Sequence, residues 1–290
     1  MIGAVTYELT AKADGHMEGF AGRLLHAAFF RHLAACSPAM SEAVHDGERI
    51  KPFTSSPLIR PQCAPLPGGG RRRLDNERGA RMIFEKAPFL VRAGERFFWR
   101  VTALREDVLA AALHFAPGTE IQVGRVTFVL TDTFADGTHE SGVLAEEELI
   151  ADALAAPPVH ELSLHFRSPV TFRRGTLDYP VPVPVPELVF VSLVNKWQQH
   201  AMPAAIDKMR VQDIAARVTI SDWNGRTQRI YFAQRHGASG CLGDFTYNFK
   251  ALDDDECRLC ILLAEYATFS GVGRLTAQGF GQTRVSFPHM

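Results

Sequence analysis

Four glycines near the end of the sequence have the spacing of a segment that can bind an anion. Gly271, Gly273, Gly279 and Gly281 form two Gly–apolar–Gly pairs separated by five residues. Glycine accepts a positive φ and allows close approach to the backbone, and successive exposed N–H groups form an anion-binding concavity. The alternative is a tight turn between a helix and a strand. Two pairs at this spacing favour phosphate contact, and Arg274 within the segment is a further candidate.

Two histidines and one lysine in the N-terminal half could transfer protons and stabilise negative charge. His45 is predicted at the C-terminal end of a short helix, where the helix dipole favours an imidazolium, and Lys51 follows six residues later. His26 lies at the edge of the apolar stripe of the preceding helix, and His32 lies near its centre, where we expect packing only. Histidine suits proton transfer because its unperturbed pKa is about 6.5. From these residues alone, a helix-capping histidine and a surface lysine are the simpler interpretation.

Basic and aromatic residues alternate in NGRTQRIYFAQRHG, in the C-terminal half. Arg226, Arg229 and Arg235 are interleaved with Tyr231 and Phe232, a combination that holds RNA through phosphate contacts and base stacking. The alternative is a solvated hairpin with its polar residues outward. Weaker candidates for phosphate contact are Arg71, Arg72, Arg73, Arg173, Arg174 and Lys196.

Composition and charge exclude several classes of protein. Hydrophobic residues make up 46% of the 290 residues and charged residues 22%, which is typical of a globular protein and excludes general disorder. The net charge of -1 argues against a chain that coats nucleic acid without specificity. No apolar run reaches the roughly 18 residues of a membrane helix, and the first residues lack the pattern of a signal peptide. We therefore expect a cytoplasmic protein with no membrane association.

The cysteines indicate neither a disulfide framework nor a metal site. The five cysteines are an odd number and are widely scattered, which fits a reducing compartment. Cys257 and Cys260 form a lone C-x-x-C pair, but they precede an apolar run that is predicted to be helical. A structural zinc site usually needs four ligands. We therefore predict buried helical cysteines, no metal and no cofactor.

The order of predicted elements favours an α+β fold with two similar halves. Each half is predicted as strand–helix–strand–strand–helix–strand, the ferredoxin-like or split βαβ pattern. In the first half, helices are predicted from about residue 19 to 35 and after the capping pair Ser37–Pro38. Residues 61–80 are predicted as an exposed loop. The predicted boundary lies near Ala155, which gives domains of residues 1–155 and 156–290.

Several stretches resemble one known family, the CRISPR-associated protein 6 endoribonucleases. The glycine-rich segment is similar to the C-terminal signature of that family, and Ile50–Leu58 (IKPFTSSPL) is similar to its K-P-F-T-x-S-P-L segment. The histidine of VHD at Val44–Asp46 precedes Lys51 at the spacing that the family often shows. PVPELVFVSLVNKW, TISDWNGRTQRI and GASGCLGDFTY resemble its C-terminal half. The resemblance is weakest between residues 61 and 161.

The resemblance implies tandem ferredoxin-like domains and cleavage of precursor CRISPR RNA within its repeats, without a metal. It also implies products with a 2',3'-cyclic phosphate and a 5'-hydroxyl. His45 is then the first candidate for proton transfer, and His26 the second, at the place where family members carry Tyr or His. Lys51 would stabilise charge on phosphorus, while the division between base and acid stays open. Expected partners are CRISPR repeat RNA, with effector-complex subunits and a second copy of the chain as further candidates.

Two other functions remain open from the sequence. The first is a non-cutting RNA-binding subunit of a CRISPR effector complex, which would share the glycine-rich segment but need no histidine pair. The second is a ferredoxin-like metabolic enzyme or regulator that binds a small anionic ligand through that segment. RNA cleavage separates the first from an endoribonuclease, and RNA affinity separates the second from both.

Overall fold

The computed structural model describes residues 1–46, 50–61, 80–173, 180–200, 202–233 and 236–287. These residues form two compact units. The first comprises Met1–Val143 together with Ala277–Gly279, and the second comprises Leu144–Thr276 together with Phe280–Met290. The division therefore falls earlier in the chain than the boundary predicted near Ala155.

Strands and helices follow one another through both units. The strands, in chain order, are β1 (Ile2–Ala11), β2 (Gly15–Met17), β3 (Phe53–Ser55), β4 (Ile59–Pro61), β5 (Ala80–Met82), β6 (Phe89–Val91), β7 (Arg96–Ala103), β8 (Glu120–Val123), β9 (Val126–Phe134), β10 (Gly142–Leu144), β11 (Glu161–Val170), β12 (Phe172–Arg173), β13 (Pro180–Val181), β14 (Thr219–Ala233), β15 (His236–Asn248) and β16 (Thr283–Ser286). The helices are α1 (Gly22–Cys36), α2 (Pro38–Asp46), α3 (Glu106–Leu113), α4 (Glu146–Ala155), α5 (Pro186–Gln199), α6 (Lys208–Ala215) and α7 (Asp254–Ser270).

The two principal sheets share one strand order. The first unit places its strands in the order β4–β7–β1–β9, with β5 and β8 at the two edges. The second unit has the order β14–β15–β11–β16. In both, the first of these four strands along the chain lies between the third and the fourth, which is the ferredoxin-like arrangement. The predicted fold class, α+β with two tandem ferredoxin-like units, is confirmed.

The core of the first unit fixes α1 and β3 against the sheet. Leu25, Phe29 and Leu33 of α1 are buried, as the predicted apolar stripe requires. The Trp99 indole on β7 donates a hydrogen bond to Ser55 Oγ at 2.8 Å, so β3 is held by a side chain as well as by its strand pairing. α1 begins at Gly22 rather than near residue 19 because the Gly19 carbonyl accepts a hydrogen bond from the Glu85 N–H instead.

α7 is a largely buried helix of the second unit. Asp253 and Glu256 form a reciprocal capping box at its N-terminus. Cys257 and Cys260 are buried in this helix, as predicted, and burial raises the pKa of both thiols. None of the helices in the described part of the chain is long and apolar enough to cross a membrane.

Candidate active site and RNA-binding residues

His26 and His45 meet at one aromatic ring in the first unit. The His26 and Phe30 ring centroids are 4.8 Å apart, and those of Phe30 and His45 are 5.6 Å apart. His26 and Phe30 lie on one face of α1 because they are four residues apart. His26 also stacks on Phe53 of β3, at 5.6 Å and an interplanar angle of 22°. The apolar segment around Phe53 therefore supports one side of the cluster.

The contacts of His26 define which of its nitrogens can react. His26 Nδ1 lies 3.0 Å from the Ala277 carbonyl oxygen, within the same compact unit. A carbonyl only accepts, so Nδ1 carries the hydrogen and Nε2 keeps its lone pair. Burial lowers the pKa of His26 to about 4, opposed by the hydrogen bond to Ala277 and assisted by the positive charges of Lys51 and Arg23. His26 is therefore neutral at neutral pH.

His45 is exposed at the C-terminal end of α2 and pairs with its neighbour. Its Nδ1 lies 2.6 Å from Asp46 Oδ1, and both side chains are 71% exposed. The carboxylate accepts the Nδ1 hydrogen, so Nε2 is the nitrogen of His45 that can meet a substrate. Asp46 was not among the residues predicted from the sequence. An aspartate directly after a candidate histidine could have been recognised as a hydrogen-bond partner for the ring.

Lys51 closes the last turn of α2. Its Nζ donates to the carbonyl oxygens of Val44 at 2.8 Å and His45 at 2.5 Å. The six-residue spacing from His45 thus brings the ammonium back to the histidine's own backbone. An ammonium has three donors, so one donor of Lys51 is not used by these two bonds. The structure brings His26, His45 and Lys51 together.

The glycine-rich segment is a packed turn, which corrects the prediction that its N–H groups point to a phosphate. Gly271, Gly273, Gly279 and Gly281 all have a positive φ, as expected. However, the N–H groups of Gly271, Gly273 and Gly281 donate within the protein, and all four glycines are buried. The acceptors are the Ala267 carbonyl, Ser192 Oγ and the Pro169 carbonyl.

The glycines are required because two stretches of backbone cross closely. The Val272 N–H donates to the Gly281 carbonyl at 2.9 Å. A Cβ on Gly281 would lie 2.2 Å from the Val272 carbonyl oxygen, and one on Gly273 would lie 2.5 Å from the Thr171 carbonyl oxygen. Arg274 remains exposed on this turn, so it is the member of the segment that can still meet a phosphate.

Lys196 is a structural residue rather than a surface contact for RNA. It is buried on α5, and its Nζ donates to the carbonyl oxygens of Ser270 at 2.8 Å and Gly271 at 2.6 Å. These carbonyl oxygens lie at the C-terminal end of α7, where the last carbonyls of a helix have no partner within the helix. The Lys196 ammonium supplies the missing donor. Burial lowers the pKa of Lys196 to about 7.

Replacing Lys196 by methionine is expected to lower the free energy of unfolding by about 2 kcal/mol, because two buried carbonyls lose their donor. Urea denaturation would measure the change. Lys250→Met is the control, because Lys250 is exposed. Equal unfolding midpoints for the two variants would contradict the structural role of Lys196.

The arginines predicted to bind RNA divide between the two faces of β14. Arg226 and Arg229 are exposed, and strand alternation places them on opposite faces. The Arg229 guanidinium lies 5.5 Å from the centroid of the Tyr231 ring. Arg235, like Arg71, Arg72, Arg73 and Arg174, lies outside the described residues, and Arg173 is exposed at the end of β12.

Solved structures share this fold along the whole chain. A product complex of Cas6 (TTHB231), a Thermus thermophilus protein, matches with a TM-score of 0.73 and 23% identity, covering 99% of this chain and 100% of the other. A second Cas6 product complex (TTHA0078) gives 0.70 and 24%, with the same coverage. A Cas6-related protein from Pyrococcus furiosus gives 0.59 and 13%, covering 99% of each chain. Fold and site together define a protein of tandem ferredoxin-like units with a histidine–lysine cluster.

A family model matches part of the second unit. Residues 164–283 match the model of the family "CRISPR-associated endoribonuclease Cas6". No curated protein matches the chain. This match covers less than half of the chain, and the family it names is the one that the sequence resembles.

Proposed function

We propose that this chain is an endoribonuclease that cuts precursor CRISPR RNA within its repeats by attack of a ribose 2'-OH, without a metal. The observation that carries the proposal is the contact of both His26 and His45 with the Phe30 ring, together with the hydrogen bond from Lys51 to the His45 carbonyl. The match to an endoribonuclease family supports the reaction class. The similar Cas6 structures include product and substrate-mimic complexes, which supports RNA as the ligand.

The geometry supports a division of labour between the two histidines. Neutral His26 would accept the 2'-OH proton at Nε2 while the 2'-oxygen attacks phosphorus. Protonated His45, paired with Asp46, would donate a proton from Nε2 to the departing 5'-oxygen. One bond to phosphorus forms and one breaks, which leaves a 2',3'-cyclic phosphate and a 5'-hydroxyl.

Lys51 would stabilise the charge that develops on phosphorus. Two of its three donors hold the end of α2, and the third would bond a non-bridging phosphate oxygen. RNA binding is assigned to Arg226, Arg229, Arg235 and Arg274, with the glycines shaping the turn that carries Arg274. Effector-complex subunits and a second copy of the chain remain predicted partners.

A labelled repeat RNA, incubated with EDTA, tests this function. A second substrate carries a 2'-deoxy nucleotide at the cut site. A single cut that survives EDTA and disappears with the deoxy substrate is the expected result. Binding without cutting would favour the non-cutting subunit, and a cut abolished by EDTA would contradict the metal-free reaction.

His45→Ala is expected to slow cleavage at saturating RNA by about 100- to 10,000-fold, the usual contribution of a positioned acid or base, while RNA affinity is kept. Single-turnover rates and labelled-RNA anisotropy would separate the two quantities. His165→Ala is the matched control, because His165 also bonds a carboxylate, Asp244, through Nδ1 at 2.7 Å. Normal cleavage by His45→Ala would remove His45 from the mechanism.

A further inference from the structure

Trp223 differs from the other two tryptophans of the chain. Trp99 and Trp197 are buried, with 0% and 1% of their surface exposed, whereas Trp223 is 62% exposed. Nothing in the proposed proton-transfer site uses it. An indole exposed to this extent is a candidate contact surface, because aromatic faces stack on ligands.

The position of the Trp223 ring is fixed by the strand beneath it. Trp223 on β14 lies opposite Phe245 on β15. Their ring centroids are 5.9 Å apart and the rings are inclined by only 15°, which is an offset stack. Phe245 is itself buried and contacts Phe166 of β11 at 5.6 Å. The indole is therefore held in place while most of it stays open to solvent.

A second aromatic residue and an arginine lie on the same face of β14. The register with β15 has no shift from Asp222 to Tyr231, so Trp223, Arg229 and Tyr231 share one face by strand alternation. Tyr231 is 55% exposed and carries the Arg229 guanidinium over its ring. At about 3.3 Å per residue, the two aromatic residues are about 26 Å apart along the strand. Only Gly225 and Thr227 lie between Trp223 and Arg229 on this face, and both are small.

We propose that this face of β14 binds single-stranded RNA, with Trp223 stacking on an unpaired base and the Arg229–Tyr231 pair holding a second nucleotide. Sequence-tolerant binding of single strands combines exposed aromatic rings with basic residues along a groove. The inference rests on the proposed function and adds a subsite for the unpaired part of the repeat RNA. It assigns a role to Trp223 that is separate from cleavage.

Intrinsic tryptophan fluorescence tests the proposal directly, because the two other indoles are buried. The 2'-deoxy repeat RNA is titrated into the protein, and binding is followed in parallel by anisotropy of labelled RNA. We expect quenching whose midpoint matches the anisotropy midpoint. Trp223→Ala should weaken RNA affinity about tenfold and leave the cleavage rate at saturating RNA unchanged, whereas Trp223→Phe should keep affinity within about twofold.

Met209→Ala is the control variant, because Met209 is a similarly exposed apolar residue on α6, and it should bind RNA normally. RNA binding without a change in fluorescence, together with unchanged affinity of Trp223→Ala, would overturn the Trp223 subsite and leave the proposed function intact. A protein that neither binds nor cuts repeat RNA would overturn the proposed function as well.

Discussion

His26→Asn is expected to slow cleavage of repeat RNA by about 100- to 10,000-fold. Asparagine keeps a polar side chain beside the Ala277 carbonyl but has no ring nitrogen to accept the 2'-OH proton. Burial keeps the wild-type ring neutral at neutral pH, with a pKa of about 4, so its Nε2 is ready to accept. Single-turnover cleavage under saturating protein measures the loss without interference from binding.

His114→Asn provides the control for this substitution. His114 also places Nδ1 at 3.0 Å from a backbone carbonyl, that of Ala110, but it lies at the exposed end of α3. It should cut at the wild-type rate. A His26→Asn protein that is folded and cuts as fast as the His114→Asn protein would show that another group is the base.

The pH dependence of the free energy of unfolding gives a second test of His26→Asn. The pKa of His26 is about 6.5 in the unfolded chain and about 4 in the folded protein. Between these values the unfolded chain binds more protons, so the free energy of unfolding falls as pH is lowered from about 6.5 to 4, by up to about 3 kcal/mol. His26→Asn should remove this part of the pH dependence.

Gly281→Ala is expected to destabilise the second unit by more than about 3 kcal/mol and to weaken RNA binding. Gly281 has φ +69°, where a non-glycine residue costs about 1–3 kcal/mol. Its Cβ would also lie 2.2 Å from the Val272 carbonyl oxygen and 2.8 Å from Thr276 Cγ2. The turn must open to admit the methyl group, which would displace Arg274. Urea denaturation and RNA anisotropy measure the two effects.

Gly94→Ala separates backbone strain from crowding. Gly94 has φ +77°, and nothing lies within 4 Å of a Cβ built there, so only the strain should appear, at about 1–3 kcal/mol. The difference between the two variants in the loss of unfolding free energy measures the cost of the steric clash at Gly281. Equal destabilisation would contradict the close crossing of the two glycine pairs.

The sequence predicted the conformation of the glycine-rich segment better than its chemistry. Positive φ values follow from glycine itself, and all four appear. The acceptors for its N–H groups come from Ser192 on α5, Ala267 on α7 and Pro169 on β11. Two of these acceptors are far along the chain, and no local pattern reveals them. The tight turn, the alternative considered from the sequence, therefore describes the observed backbone.

The candidate active site was predictable as separate residues but not as an assembly. The family resemblance singled out His45 and Lys51 by their spacing, and the structure adds a hydrogen bond from Lys51 to the His45 carbonyl. The tautomer of His26 depends on Ala277, 251 residues away, for which the sequence around His26 carries no signal. The contact of both histidines with Phe30 likewise needs the tertiary packing of α1 and α2.

Two elements of the second unit, β14 and α6, differ from the elements that the sequence predicted. Asn224–Gly225 is typical of a turn, so the local pattern predicts two strands where β14 is one. The strand continues because Gly225 pairs with Gly243, and a Cβ on Gly243 would lie 2.5 Å from the Gly225 Cα. The strand–helix–strand–strand–helix–strand order predicted for each half does not include α6. Asp207 nevertheless caps this helix by accepting the Met209 N–H at 2.9 Å, and an aspartate at this position is a recognised signal for the start of a helix.

The chemical ends of the RNA products test the central claim most directly. Mass spectrometry of both fragments from wild-type cleavage in EDTA should show a 2',3'-cyclic phosphate on the upstream fragment and a 5'-hydroxyl on the downstream one. These ends require the 2'-oxygen as nucleophile, as the arrangement of His26, His45 and Lys51 demands. A 3'-hydroxyl with a 5'-phosphate would mean that water attacked the phosphorus, and would contradict the role proposed for these three residues.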